Sequence, residues 1–365
     1  MNTWPSWLPL RDELRGLSPY GAPQLRNVVQ LNTNENPNSL PEKVQNAIIA
    51  EIQKVVVDLN RYPDRDAVRL RSKLADYVNV MDGAKVSVEN IWAANGSNEI
   101  LQTLFLACGG AGRIALGFTP SYSVHPLIAQ ITGTKWIAGK RQEDFTLDSA
   151  TVLNQIQEVK PSLIFLTTPN NPSGTSTPFA LVEEMAVVAA EVGALFIVDE
   201  AYAEFSSERS AVQLIAKHPH VVSSRTMSKA FAFAGARVGY MVASESVVNA
   251  ALVTRLPYHL SALTQAAAEV AIDHSTLMQS GIDELISERE RLEKEIAAAG
   301  WSSLKSSANF ILFGGFTDTS KSIWQKFLDR GILIRDVGLE GYLRVTIGTP
   351  GENQRFLAAL QDIAQ

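Results

Sequence analysis

Lys229 has the setting in this sequence that most invites chemistry. It lies in SRTMSKAFAFAGARVGY, residues 224 to 240, beside Ser228 and ahead of Arg237, among small apolar residues and with no acidic side chain in the stretch. Lys229 and Arg237 in such surroundings need an anion from elsewhere, because an unpaired buried charge is costly. A ligand can supply it. A lysine amine that is kept from water near a second cation loses proton affinity, which makes it a nucleophile toward a carbonyl.

A second anion-seeking feature is NGSNE, residues 95 to 99, a turn that leads into a helical pattern. The backbone N–H groups of Gly96, Ser97 and Asn98 there would face an anion at the positive end of the helix dipole. Alone, such a turn is more often an ordinary helix cap. Ser228 and Arg237 offer further phosphate donors. An aldehyde-bearing cofactor that also carries a phosphate needs both a lysine and an anion cradle, and pyridoxal phosphate is such a molecule. Its ring works as an electron sink when the pyridine nitrogen stays protonated, which calls for a carboxylate at the far edge. Asp199, after the apolar run ALFIV, is placed to supply it. Asn171 and Tyr202 are candidates for the ring hydroxyl, and Tyr122 in TPSYS for stacking on the ring. Read one by one, Asp199 is a helix cap, Ser228 and Lys229 a surface turn, Tyr122 a core aromatic and Arg237 half of a salt bridge. The combination is what favours a cofactor site.

These residues need a scaffold that gathers them. Between about residues 45 and 255, short apolar runs alternate with helical ones, the signature of a parallel sheet covered by helices on both faces. Strands are expected at SLIFL (162 to 166), ALFIV (194 to 198), HVVSS (220 to 224) and GYMVA (239 to 243), and helices at Val68 to Val78 and Glu99 to Ala107. Ligands bind beyond the carboxyl ends of such strands. The segments there are NGSNE, TTPNNPSG, the Asp199 to Tyr202 run and RTMSK, which together make one expected pocket. Residues 281 to 300 read as an amphipathic helix with a solvated charged face, stopped by Gly300. NFILFGG, a helix around Ile323 to Arg330, and GYLRVTIG then form a smaller α+β unit. The division expected is 1–45 as an N-terminal arm and part of the small domain, 46–255 as the large cofactor-binding domain, and 256–365 as a linking helix and the rest of the small domain.

Composition bounds the reading. The chain has 365 residues, 46% of them hydrophobic, and a net charge of -6 with its basic residues scattered, which gives no cluster of the kind that binds nucleic acid or anionic lipid. One cysteine, Cys108, allows no intrachain disulfide and fits a small buried hydrophobe. The opening MNTWPSWLPLRDELRG carries prolines and acids where a signal peptide has an apolar run, and Ile114 to Thr134 is too broken for a membrane span, so a cytoplasmic protein is expected. The sequence lacks GxxxxGK[ST], GxGxxG after a first strand, and GxSxG. Its five histidines, His125, His218, His220, His259 and His274, show no metal-ligand spacing and read as structural or exposed.

Nearly end to end, the chain resembles the fold type I pyridoxal-phosphate aminotransferases, and among them most closely the histidinol-phosphate aminotransferases of the actinobacterial kind. The segments that carry the resemblance include SPYGAPQ, LNTNENP, NRYPDRDAVRLR, IWAANGSNEILQ, GFTPSYSVHP, TTPNNPSG, IVDEAYAEF, RTMSKAFAFAGARVGY and LRVTIGTP. It implies a fold type I α/β large domain, with a mostly parallel seven-stranded sheet between helices, and a smaller α+β domain. It implies that Lys229 attaches pyridoxal 5'-phosphate covalently and then moves the reacting proton, and that Asp199 pairs with the pyridine nitrogen. Asn171 and Tyr202 would bind the ring hydroxyl and Tyr122 would stack. Gly96, Ser97, Asn98, Thr226, Ser228 and Arg237 would hold the cofactor phosphate, reached by Tyr62 from the neighbouring subunit of a homodimer. Arg344 would take the carboxylate of glutamate or 2-oxoglutarate, as a planar guanidinium suits. Tyr20 and Arg335 would hold the phosphate of histidinol phosphate, with Asn32, a further substrate-binding residue, nearby. The family's common NNPTG is NNPSG here, with Ser173 keeping the hydroxyl. An aromatic amino-acid aminotransferase and a threonine-phosphate decarboxylase share the implied fold. A non-catalytic ligand sensor on that fold would usually carry an added DNA-binding module.

Overall fold

Short runs of β-branched and aromatic residues become buried strands, and polar residues end each run where the chain leaves the sheet. The computed structural model describes residues 4–19 and 21–364. The chain forms β1 (Val29–Gln30), α1 (Glu42–Val55) and α2 (Val68–Asp82), then enters a large sheet with β2 (Ile91–Ala94). Helices and strands then interleave: α3 (Ser97–Cys108), β3 (Ile114–Thr119), α4 (Val124–Ile131), β4 (Lys135–Lys140), α5 (Ser149–Val159), β5 (Leu163–Thr167), α6 (Phe179–Val192) and β6 (Leu195–Asp199). The last two strands, β7 (Val221–Thr226) and β8 (Gly239–Val242), complete seven.

The spatial order is β2-β8-β7-β6-β5-β3-β4. Every pairing is parallel except those of β8, which runs against both β7 and β2. The mostly parallel sheet is therefore as expected, and β2, β3, β5, β6 and β7 all end at one edge. The strand order turns back between β3 and β5, which opens a crevice at that edge. Phe165, Phe196, Ile197, Val221 and Val222 are buried in the sheet, each contributing about 1.5–3 kcal/mol of apolar burial. This packing fixes where the strand ends sit.

The C-terminal part runs through α7 (Glu245–Thr254), α8 (Ala262–Asp273), α9 (Thr276–Ala298), β9 (Ser302–Ser303), β10 (Phe310–Gly314), α10 (Ser320–Asp329), β11 (Ile332–Leu333), β12 (Tyr342–Thr346) and α11 (Pro350–Ala364). Strands β12, β10 and β9 make a three-stranded antiparallel sheet. β1 pairs in parallel with β11, Val29 opposite Ile332, so the N-terminal segment is stitched to the C-terminal unit. Among the described residues no helix is long and apolar enough to cross a membrane.

Several boundaries differ from expectation for physical reasons. α2 runs on to Asp82 and stops at Gly83, whose φ of +62° suits the left-handed cap. α9 starts at Thr276 rather than Gly281, because Met278 extends its buried stripe. Its charges are not all solvated: Arg289 is buried and its Nη1 donates to the carbonyls of Phe205 (3.3 Å) and Ala308 (2.9 Å). A buried guanidinium is tolerated there because it satisfies carbonyls that the loops leave unpaired. Cys108 is half-buried at the end of α3 rather than fully enclosed, and what burial it has raises its thiol pKa.

Candidate active site

The polar residues at the carboxyl edge of the large sheet face the C-terminal unit across a cavity of about 660 Å³. Asn32, Ser97, Asn98, Tyr122, Asn171, Asp199, Tyr202, Thr226, Ser228, Lys229, Arg237, Arg335 and Arg344 all line it. One pocket thus gathers thirteen of the sixteen expected residues. Gly96 lies one residue before the lining, in the turn itself. Tyr62 is elsewhere, 80% exposed and stacked on Tyr258 with ring centroids 4.4 Å apart. Tyr20 lies outside the described residues.

Lys229 follows β7 by three residues, and its Nζ donates to the Thr33 carbonyl at 3.0 Å. Burial, and after it the positive charge of Arg344, pulls the amine down to about 8. Among the described residues no carboxylate forms an ion pair with Lys229 or Arg237. Glu35, which also lines the cavity, opposes the lowering with a weaker pull on the Lys229 amine, but neither cation singled out in the sequence has an acid in direct contact.

At one end of the cavity the donors converge. Thr226 Oγ1 donates to Ser228 Oγ at 3.0 Å, and Arg237 Nη1 reaches the same oxygen at 3.4 Å. The turn before α3 packs against this group so tightly that two glycines are required. Gly96 has φ +83° and ψ 166°, a region essentially open only to glycine, and a Cβ there would lie 2.6 Å from Arg237 Nη2. A Cβ on Gly239 would come within 2.3 Å of the Ser97 backbone nitrogen. Helix N-terminal amides, two hydroxyls and a guanidinium therefore share one small space. That donor set suits a phosphate dianion.

Asp199 ends β6 at the cavity floor and is almost fully buried. His125 Nε2 lies 3.2 Å from its Oδ2, and the Ala201 N–H donates to Oδ1 at 3.3 Å. His125 belongs to α4 and is held among Tyr122, Trp136 and Phe165, at ring-centroid distances of 5.5, 6.4 and 5.0 Å. Of the structural and exposed roles expected of this histidine it takes the structural one: it is buried and its ring supports the candidate carboxylate. The sole signal was its place three residues after Tyr122. Tyr122 itself donates to Asn98 Oδ1 at 3.2 Å, tying the stacking candidate to the helix turn.

The next residue, Glu200, turns the other way. With Asp82 and Glu204 it surrounds the buried Arg225 at 3.2, 3.1 and 3.6 Å respectively. Three acids around one cation, beside Tyr77 and Tyr240, cannot all ionise cheaply. Glu204, whose oxygens accept no hydrogen bond among the described residues, is pushed up to about 7 by burial, against the pull of Arg225. Asp82 is raised as well, again by burial. A carboxyl raised in the folded state loses stability as pH climbs from its ordinary 4.5 toward 7, and the loss levels off above that. Glu204→Gln should therefore flatten the fall in stability between pH 4.5 and 8 by up to about 3 kcal/mol, read from urea melts at each pH.

On the opposite wall, Arg344 of β12 donates to Asn171 Oδ1 at 2.6 Å and to the Asn32 carbonyl at 2.9 Å, with its guanidinium 5.1 Å from the Phe310 ring centroid. This anchoring presents a planar fork to the cavity. Arg335 pairs by backbone with Arg344, N to O at 2.9 Å in both directions, so both side chains enter from one bridge. Asn32 turns its amide to the Pro23 carbonyl at 2.9 Å. Tyr202 Oη accepts from Asn171 Nδ2 at 3.4 Å and from Asn34 Nδ2 at 2.9 Å. Asn34, in the same LNTNENP segment as Asn32, was not singled out from sequence. Ser173 keeps its hydroxyl in use, accepting from Asn170 Nδ2 at 2.8 Å.

The residues fit pyridoxal phosphate: an unpaired lysine, a phosphate-sized donor cradle and a buried carboxylate border one cavity. The profile of aminotransferase class I and II matches residues 26–360. A histidinol-phosphate aminotransferase of Mycolicibacterium smegmatis is 53% identical over 98% of this chain and 94% of its own. That of Mycobacterium leprae is 51% identical over the same shares. The solved structure of the histidinol-phosphate aminotransferase from Clostridium acetobutylicum matches with a TM-score of 0.82 at 22% identity, over 92% of this chain and 99% of that one. The Sinorhizobium meliloti enzyme, solved with pyridoxal-5'-phosphate, matches with a TM-score of 0.81 at 22% identity, over 93% and 92%. With the family matched over most of its length and half its residues shared with these relatives, the chain belongs to the class I and II aminotransferases, in their histidinol-phosphate aminotransferase branch.

Proposed function

We propose that this protein transfers the amino group between L-histidinol phosphate and 2-oxoglutarate, giving imidazole acetol phosphate and glutamate, as a step of histidine biosynthesis, with pyridoxal 5'-phosphate as cofactor. The observation that carries the chemistry is the placement of Lys229, with no acid paired to it, between a phosphate cradle and the buried Asp199. Bound there, the cofactor supplies a carbonyl for the amine and a ring that withdraws electrons from the carbon that loses its proton.

The chain's own residues do the rest. An amine near 8 both gives and takes a proton at neutral pH, so Lys229 Nζ serves as acid and base in turn. Asp199, held by His125 and the Ala201 N–H, carries the negative charge opposite the pyridine nitrogen. Tyr202 and Asn171 meet the ring hydroxyl, and Tyr122 covers the ring face. Gly96, Ser97, Asn98, Thr226, Ser228 and Arg237 hold the phosphate. Gly96→Ala would force Arg237 aside and strain the turn; it is expected to raise the cofactor's dissociation constant about tenfold or more, measured by absorbance titration.

Arg344 takes the carboxylate of glutamate, and Arg335, with Asn32 and Tyr20, the phosphate of histidinol phosphate. The exposed Tyr62 and Tyr258 pair suits a contact with a second copy, so that Tyr62 reaches the partner's phosphate cradle in a homodimer. The segments 1–45, 46–255 and 256–365 act as arm, large domain and small domain, in the cytoplasm. The test is to add histidinol phosphate, phenylalanine and glutamate separately to the holoenzyme. Histidinol phosphate and glutamate are expected to bleach the cofactor's visible band. Bleaching by phenylalanine in preference to histidinol phosphate would favour an aromatic aminotransferase, and release of carbon dioxide a decarboxylase.

A further inference from the structure

Asn34 sits in the left-handed region, φ +55°, a conformation that asparagine tolerates better than most residues and that here aims its side chain inward. It is almost fully buried, and every polar atom it has is engaged. Its N–H donates to Thr346 Oγ1 at 2.9 Å, its carbonyl accepts from Asn309 Nδ2 at 3.1 Å, and its Oδ1 accepts the Thr346 hydroxyl at 3.2 Å. Because Oδ1 is occupied by that hydroxyl, the NH₂ end must face the other way. It does so onto Tyr202 Oη at 2.9 Å.

We infer that Asn34 is a positioning residue for Tyr202: its amide, braced by Thr346 on β12, fixes where the phenolic oxygen sits and which way its hydrogen points. A phenolic oxygen has one hydrogen and two lone pairs. The amides of Asn34 and Asn171 both donate to that oxygen, so the lone pairs are taken up and the Tyr202 hydrogen is directed away from both amides. β12 also carries Arg344 two residues earlier, so one strand sets both the carboxylate-binding guanidinium and the phenol. This rests on the reading that Tyr202 faces the ring hydroxyl of pyridoxal phosphate.

A hydrogen-bond donor aimed at the ring oxygen favours its ionised form, and losing the donor favours the protonated one. The holoenzyme's visible band therefore reports the arrangement through the pH midpoint of its titration. Tyr202→Phe should move that midpoint upward by about one pH unit, the worth of one hydrogen bond to a charged group. Asn34→Asp keeps the shape and the left-handed backbone but replaces the donor with an acceptor that draws the Tyr202 hydrogen away. It should move the midpoint in the same direction, and Asn34→Asp with Tyr202→Phe should move it no further than Tyr202→Phe alone. Thr346→Val should give a smaller shift and Thr346→Ser should restore the midpoint. Asn34→Gly, which the φ value accommodates, covers the case in which the aspartate variant fails to fold. If Tyr202→Phe shifts the midpoint and neither Asn34 variant does, the role of Asn34 is overturned while the site reading stands. If Tyr202→Phe leaves the midpoint unchanged, the site reading fails and the inference with it.

Discussion

Lys229→Ala is expected to abolish transamination, lowering kcat by about 10⁴-fold or more, while the apo protein stays folded. The catalytic loss is large because, in the proposed reaction, one amine would serve as attachment point, base and acid. Stability is spared for a separate reason. The amine makes one hydrogen bond, to the Thr33 carbonyl, and burial already opposes its charge. Removing a buried cation that has no acid partner takes away a desolvation penalty along with the contact. Single-turnover kinetics with glutamate and a thermal melt of the apo protein check both halves. Measurable turnover by the alanine variant would exclude Lys229 as the reacting amine.

Asp199→Asn should be the next most damaging change, with kcat falling by about 10² to 10⁴, the rate equivalent of losing one charge of a buried pair. The asparagine keeps the size, and its carbonyl oxygen can still accept from His125 or from the Ala201 N–H. What it lacks is the negative charge that keeps a pyridine nitrogen protonated. The variant is therefore expected to retain cofactor and to fail at proton removal. A kinetic isotope effect on the hydrogen that Lys229 removes should grow as that step becomes limiting. A variant with normal kcat would mean that the carboxylate does not face the ring.

Sequence patterning revealed the strands and their polar ends because both are local. The run ALFIV can only be buried, and Asp199 follows it directly, so the carboxylate's place at the sheet edge needed no tertiary information. The same holds for Ser228 and Lys229 after β7 and for the Gly96 turn before α3. The parts that escaped are those in which distant residues meet. His125 is 74 positions from Asp199, and an isolated histidine on a helix carries no pattern that names its partner. Asn34 is not distinguished from Asn32 by sequence because the three asparagines in LNTNENP look alike until one of them takes a left-handed turn and points inward. Arg289 was read as solvated because helical periodicity assigns charges outward unless an apolar stripe includes them. The three acids around Arg225 lie at positions 82, 200 and 204, and no spacing rule joins them.

Tyr62 marks a different boundary. Its side chain stacks on Tyr258 at the surface, away from the cavity, so any part it takes in the site depends on a second copy of the chain. In one chain, the donors proposed to hold the phosphate, Ser97, Asn98, Thr226, Ser228 and Arg237, gather around a glycine turn that tolerates no Cβ.

The most direct test of the account is borohydride reduction of the holoenzyme followed by peptide mapping. The cofactor is predicted to become fixed to the peptide that contains Lys229, with the visible band lost and about one label retained per chain. A label on any other lysine, or a cofactor that washes away after reduction, would contradict it.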